Sequence, residues 1–126
     1  MTREEFTKKY GKVLVPVLTP YDENEKVNYE AYAQLIHYLI ETGSCDSVIV
    51  TGTTGEASLL TFDERVKLME TALKAADGRV PVIAGTGCAS TKETDVYKRQ
   101  VHQPVRLLKL LFLASIVKGE NQFRRQ

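Results

Sequence analysis

The sequence predicts an α/β fold made of strand–helix units, with a parallel sheet covered by helices. Three observations predict it. Val13–Leu18, Ser47–Val50 and Val80–Ala84 are short β-branched or aliphatic runs. They are continuous rather than alternating, as strands buried on both faces are. Each run gives way to a turn-forming or glycine-rich segment: Thr19-Pro20-Tyr21-Asp22, Thr51-Gly52-Thr53-Thr54-Gly55 and Gly85-Thr86-Gly87. The runs also start near 13, 47 and 80, and a strand–helix unit repeating at roughly that interval is the mark of a βα array.

The segments between the runs read as helices. Tyr32, Leu35, Ile36, Leu39 and Ile40 recur at three- and four-residue steps and make one apolar stripe. Asn28 stands as its N-cap and Gly43 at its end. Phe62, Val66, Met69, Leu73 and Ala76 make a second stripe. Thr61 and Glu64 have capping-box spacing before it, and Asp77-Gly78 ends it. Ser90 and Glu93, at the same spacing, announce a third helix. A right-handed βα repeat closes into a barrel or opens into a doubly wound sheet, and spacing alone does not choose. A complete barrel takes about 250 residues; this chain has 126.

The charge is uneven. Residues 1–94 carry 10 Lys/Arg and 14 Asp/Glu, and residues 95–126 carry 7 and 2, within a total of +1. The near-neutral total gives no field that argues for nucleic acid or a membrane as partner. The longest apolar stretch, Leu107–Val117, is interrupted by Lys109 and falls short of the ~20 residues of a spanning helix. Cys45 and Cys88 have neither metal nor redox spacing. A charged N-terminus (Arg3, Glu4, Glu5) is unlike a signal peptide, so a cytoplasmic location is expected.

The chemistry-bearing segment is Thr51-Gly52-Thr53-Thr54-Gly55-Glu56. It leaves a buried strand and precedes a capped helix. In a barrel that is the face on which active sites are built. Gly52 and Gly55 allow a tight turn and close approach of a ligand. Exposed N–H groups near such a turn suit a carboxylate or phosphate, and two adjacent hydroxyls hold a small polar substrate or pass a proton. The bland reading is that Gly-Thr-Thr-Gly is only a well-formed turn. A P-loop is disfavoured, because no Lys-Ser/Thr follows at the required spacing, and Gly85-Thr86-Gly87 is not G-x-G-x-x-G.

A wider pattern resembles one family. Val15-Pro16-Val17-Leu18-Thr19-Pro20-Tyr21, Gly52-Thr53-Thr54-Gly55-Glu56-Ala57, Leu60-Thr61 and Val80-Pro81-Val82-Ile83-Ala84-Gly85-Thr86-Gly87 resemble, in order and spacing, the start of the dihydrodipicolinate synthase/N-acetylneuraminate lyase family. Thr53 favours the synthase branch, since the sialic-acid lyases usually have Ser there. The resemblance implies a partial TIM (β/α)8 barrel of three βα units over residues 1–94, followed by a non-matching tail. It implies a class I aldolase that forms a Schiff base between a barrel lysine and pyruvate, with no cofactor and no metal, in a homotetrameric parent. The expected aldehyde is aspartate semialdehyde, on the diaminopimelate route to lysine.

On that resemblance Thr53 is the relay hydroxyl and Thr54 binds the pyruvate carboxylate. Gly52 and Gly55 shape the loop, and Thr19 and Pro20 lie at the mouth. Glu56 is expected to be a structural hydrogen-bonding residue rather than a base. Tyr21 fits the mouth or turn packing equally well. His37, Lys67 and Lys74 read as helix-surface groups, and Cys45 and Cys88 as small buried residues.

The pattern departs from the family after Thr94. Asp95-Val96-Tyr97-Lys98-Arg99-Gln100 abandons the amphipathic helix, and no match to the family's relay tyrosines, arginine or Schiff-base lysine follows. Residues 95–126 are therefore expected to be a basic tail, foreign or out of frame, although Leu111–Val117 is strand-like. The 126 residues alone are expected to be inactive and of low stability, with a sheet edge left unpaired. The competing reading is a non-enzymatic βα module that binds a phosphate or carboxylate and uses the tail for interaction. A third is another pyruvate-dependent aldolase of the family.

Overall fold

A computed structural model describes residues 1–88, 90, 92 and 93, together with the backbone of 111 and 112. Its elements are α1 (Arg3–Tyr10), β1 (Leu14–Pro16), α2 (Tyr29–Glu41), β2 (Ser47–Val50), a 3₁₀ turn (Ala57–Leu59), α3 (Phe62–Ala76), β3 (Val82–Ala84) and β4 (Leu111–Phe112). The four strands form one sheet in the order β1-β2-β3-β4, with every neighbouring pair parallel. Leu14 pairs with Ser47, Val48 with Val82, and Ile83 with Leu111. The strand-like stretch in the tail thus contributes two residues beside β3. The remaining expectations for residues 94–126 lie outside the described residues.

The helices begin and end where local chemistry predicts. Asn28 Oδ1 accepts from Ala31 N at 3.0 Å and opens α2. Gly43, at φ 65°, closes it, and Ser44 N donates to Leu39 O. Thr61 and Glu64 exchange both bonds of a capping box, at 3.3 and 2.8 Å. Asp77 and Gly78 are left-handed at the end of α3. Arg79 then covers carbonyls of its last turn, donating to Ala75 O at 2.8 Å and Ala76 O at 3.3 Å. Glu93 N donates to Ser90 Oγ at 3.1 Å, as expected for the start of a third helix. The structure adds α1. Its signal was present, because Thr2 and Glu5 form the same capping box.

Strand parity decides which side chains meet the helices. Val17, Val48, Val50, Val82 and Ala84 join Tyr32 and Ile36 of α2 and Leu68, Met69 and Ala72 of α3 in one buried cluster. Ile83 is buried outside that cluster, and Ile49 is half-buried. β3 therefore matches the expectation of a strand covered on both faces, and β2 meets it only in part. β1 does not: Val13 and Leu18, which flank it, are each 52% exposed. Among the described residues β1 is an edge strand, with β2 as its one neighbour. Parallel bonding alternates along a strand, and Val17 N donates to Ile49 O at 2.9 Å. Val13, Val15 and Val17 therefore turn to β2, and Pro16 turns to the open edge. A missing N–H costs no ladder bond there.

The N-terminal end of the sheet is tied by one carboxylate. Asp46 Oδ2 accepts from Val13 N at 2.8 Å and Lys12 N at 2.7 Å. These bonds, with the Lys12 charge, hold its carboxyl below the usual range. Gly11 is required beside it, since a Cβ there would lie 2.0 Å from Asp46 Cβ.

Two outcomes follow. Ile36→Ala removes a fully buried side chain and should cost about 2–5 kcal/mol in urea denaturation. Asp46→Asn should destabilise the chain at neutral pH. A carboxyl whose pKa is depressed on folding stabilises above its unfolded pKa of ~3.9, and that stability is lost as pH falls through the lower folded value. The gap between Asp46→Asn and the unsubstituted chain should therefore narrow below about pH 4. A pH-independent gap would contradict this account.

Candidate functional site

The three β-to-α loops leave the same end of the parallel sheet and meet through side-chain-to-backbone bonds. Thr19, buried after β1, donates from Oγ1 to Gly55 O at 2.7 Å. Thr51, buried after β2, donates from Oγ1 to Gly85 O at 2.9 Å. Arg65 reaches in from α3, only 6% exposed, and donates from Nη2 to Gly85 O at 3.1 Å and Gly87 O at 3.2 Å. The loop after β2 is thereby held from the β1 side and the β3 side at once.

Inside that frame the loop folds on itself. Gly55 N donates to Gly52 O at 3.1 Å, Glu56 N to Thr53 O at 3.0 Å, and Ala57 N to Gly52 O at 3.3 Å. Thr53 and Thr54 are exposed, Gly52 is half-buried and Gly55 buried. The turn thus carries its two hydroxyls outward while its own carbonyls are engaged inward. Two adjacent exposed hydroxyls at a strand end suit a small polar ligand.

The turning expected of Gly52 and Gly55 is done by their neighbours. Thr51 and Glu56 are left-handed, at φ 51° and 53°, and neither Gly52 nor Gly55 has a positive φ. A β-branched residue rarely adopts that conformation; it costs about 1–3 kcal/mol and persists only where the surroundings impose it. Gly55 is needed for closeness instead: a Cβ would meet Val17 O at 3.0 Å and Thr19 Oγ1 at 3.4 Å. A Cβ at Gly52 would make only an ordinary contact, with Ile49 Cγ2 at 3.8 Å. Gly85 is the tightest of the three, because a Cβ would lie 2.5 Å from Thr51 O.

Glu56 contributes through its backbone, with its side chain exposed. Tyr21 is exposed beside the loop and forms an antiparallel bridge with Val27. Partial desolvation raises its phenol pKa, and the Glu56 and Glu64 charges add to the rise. His37 is an exposed helix residue 2.9 Å from Arg79 Nη2. Lys67 lies over the Tyr29 ring and Lys74 is exposed. Cys45 is buried, while Cys88 is half-buried. Sequence reasoning gave no role of their own to three residues of this region, although Thr51 and Thr86 stand within the motifs it named. Thr51 and Arg65 show no periodic signal, and Thr86 is fully buried with no hydrogen-bond partner for Oγ1 among the described residues. Among the described residues no cluster of three His, Cys, Asp or Glu is placed to hold a metal, and no helix is long and apolar enough to cross a membrane.

The model of the Dihydrodipicolinate synthetase family matches residues 9–102. A 4-hydroxy-tetrahydrodipicolinate synthase of Oceanobacillus iheyensis is 46% identical over 92 residues, 73% of this chain and 31% of that one. The crystal structure of a dihydrodipicolinate synthase of Bacillus anthracis superposes with a TM-score of 0.71 at 34% identity, over 75% of this chain and 32% of that one. An N-acetylneuraminate lyase of Mycoplasma synoviae superposes with a TM-score of 0.69 at 26% identity, over 84% of this chain and 36% of that one. The chain spans about three tenths of the length of the curated relatives it matches. The parallel β1–β3 array with its helices is the first part of a TIM barrel.

Two glycines should behave differently. Gly85→Ala should destabilise by about 1–3 kcal/mol, as overpacking does. Gly52→Ala should stay within about 0.5 kcal/mol, as a substitution that meets no clash does. Thermal denaturation of both would check this, and equal losses would count against the geometry.

Proposed function

The chain belongs to the dihydrodipicolinate synthetase family, and we propose that its described residues form the pyruvate-carboxylate end of a Schiff-base (class I) aldolase site. The observation that supports this most is the exposed Thr53–Thr54 pair, carried by the loop after β2 at the end of a parallel sheet where barrel enzymes bind substrate. Thr54 binds the pyruvate carboxylate through its backbone N–H and hydroxyl. Thr53 passes a proton to a tyrosine partner. A threonine hydroxyl is a weak acid on its own, so that role needs an aligned partner. Gly52 leaves room beside the pair, and Gly55 seats the loop against β1.

The chemistry of the whole protein is a proposal of the same kind. A lysine amine condenses with the pyruvate carbonyl and releases water. The Schiff base loses a methyl proton to become an enamine, whose carbon attacks an aldehyde. Covalent catalysis of this form divides a hard carbon–carbon step into easier ones. Aspartate semialdehyde is the proposed aldehyde, which puts the reaction in lysine biosynthesis in the cytoplasm, carried out by a homotetramer. The superposition on an N-acetylneuraminate lyase supports a second reading, another pyruvate-dependent aldolase with the same carboxylate loop.

The described lysines do not supply the amine. None of them stands within a strand: Lys8 and Lys9 lie in α1, Lys67 and Lys74 in α3, and Lys12, Lys26 and Lys92 outside the strands. Lys98, Lys109 and Lys118 lie outside the described residues. We take the 126-residue chain by itself to be inactive.

Pyruvate titration followed by amide NMR tests the loop, and borohydride trapping followed by mass spectrometry tests the amine. Pyruvate should shift the Thr53, Thr54 and Gly55 amides, and Thr54→Val should abolish the response. Borohydride should trap no pyruvate adduct. A silent loop, or an unchanged response in Thr54→Val, would remove the carboxylate assignment. A trapped adduct would show that the chain holds its own Schiff-base lysine.

A further inference from the structure

The residue that governs the loop lies one position before its glycine-flanked pair. Thr51 is 2% exposed, left-handed at φ 51°, and β-branched. Its neighbourhood grips it on several sides. Gly85 N donates to Val50 O at 2.8 Å, which brings the end of β3 against the Thr51 backbone. The glycine lets that contact close, since a Cβ at 85 would meet Thr51 O at 2.5 Å. Thr51 Oγ1 then donates to Gly85 O at 2.9 Å, and Arg65 Nη2 holds the same carbonyl at 3.1 Å.

We propose that Thr51 is a positioning residue for the Thr53–Thr54 pair, acting through its hydroxyl bond to the Arg65-held Gly85 carbonyl. The assignment rests on the reading of that pair as a keto-acid site. A β-branched residue prefers extended backbone, so Thr51 without its bond would tend to relax out of the left-handed region. That rotation re-aims everything that follows. The loop closure from Gly55 N, Glu56 N and Ala57 N onto Gly52 O and Thr53 O depends on the direction Thr51 sets. The bond from Thr19 Oγ1 to Gly55 O anchors only the far end. A glycine at 51 would accept the turn without fixing it. Threonine with its bond accepts and fixes it.

Three variants separate the hydroxyl from shape and from strain: Thr51→Ser keeps the donor, Thr51→Val keeps the branch, and Thr51→Gly removes both. Amide hydrogen exchange in the 126-residue chain reads the loop without any ligand. In Thr51→Val the Gly55, Glu56 and Ala57 amides should exchange about tenfold faster, the scale of one lost hydrogen bond, while core amides of α2 and α3 keep their rates. Thr51→Ser should restore slow exchange. Pyruvate binding should weaken in Thr51→Val and recover in Thr51→Ser. Should Thr51→Val fail to fold, Thr51→Gly, free of the left-handed cost, should show the same loop acceleration. Unchanged loop exchange in Thr51→Val or Thr51→Gly, an equal rise across α2 and α3, or no rescue by Thr51→Ser would overturn the assignment. If wild-type protein ignores pyruvate while loop exchange follows the predicted order, the keto-acid reading falls and the hydroxyl's control of the loop stands.

Discussion

The arrangement depends on Gly85 O being held from two sides. Thr51 Oγ1 and Arg65 Nη2 converge on that one carbonyl, at the point where β2 and β3 run out of ladder bonds. A buried carbonyl needs a donor, and a buried guanidinium needs acceptors. Each satisfies the other at a depth where failure to pair would be costly. The result is a stiff junction between two loops that would otherwise be joined only through their strands. From it, the left-handed turn at Thr51 and the outward display of Thr53 and Thr54 follow.

The same logic organises the other end of the sheet with different groups. Asp46 holds the entrance to β1 by accepting from two successive N–H groups, and Ser47 Oγ donates to Tyr10 O at 2.5 Å, joining α1 to β2. Between the two ends, valine-rich strand faces and the stripes of α2 and α3 supply apolar burial. The core thus sets where the strands lie, and side-chain-to-backbone bonds set how their ends are finished. Apolar burial is non-directional, so it could not have aimed the loop by itself.

Membership of the dihydrodipicolinate synthetase family fits this division. The chain carries the first part of the barrel, with the threonine loop after β2, over about three tenths of the length of its curated relatives. β1 remains an edge strand in this sheet, with Pro16 turned to the open side and Val13 and Leu18 half exposed. The synthase and lyase neighbours superpose about equally well. The shared feature is thus the scaffold and its loop ends.

Periodicity and capping residues by themselves determined the βα order, the limits of α2 and α3, and the position of the threonine loop. Those are local matters: apolar spacing, an Asn or Thr cap, and a glycine stop act within a few residues of each other. α1 was equally local, and its Thr2–Glu5 box was simply passed over. Tertiary structure alone decided which residues turn the loop and which hold it. Thr51 and Glu56 are left-handed although glycines stand beside them, because bonds from sequence-distant groups impose the turn at Thr51. Thr19 finds Gly55, 36 residues on, and Arg65 finds Gly85 and Gly87, 20 and 22 residues on, only once parallel pairing has brought these segments to one end of the sheet. No pattern in a single stretch of chain encodes that meeting.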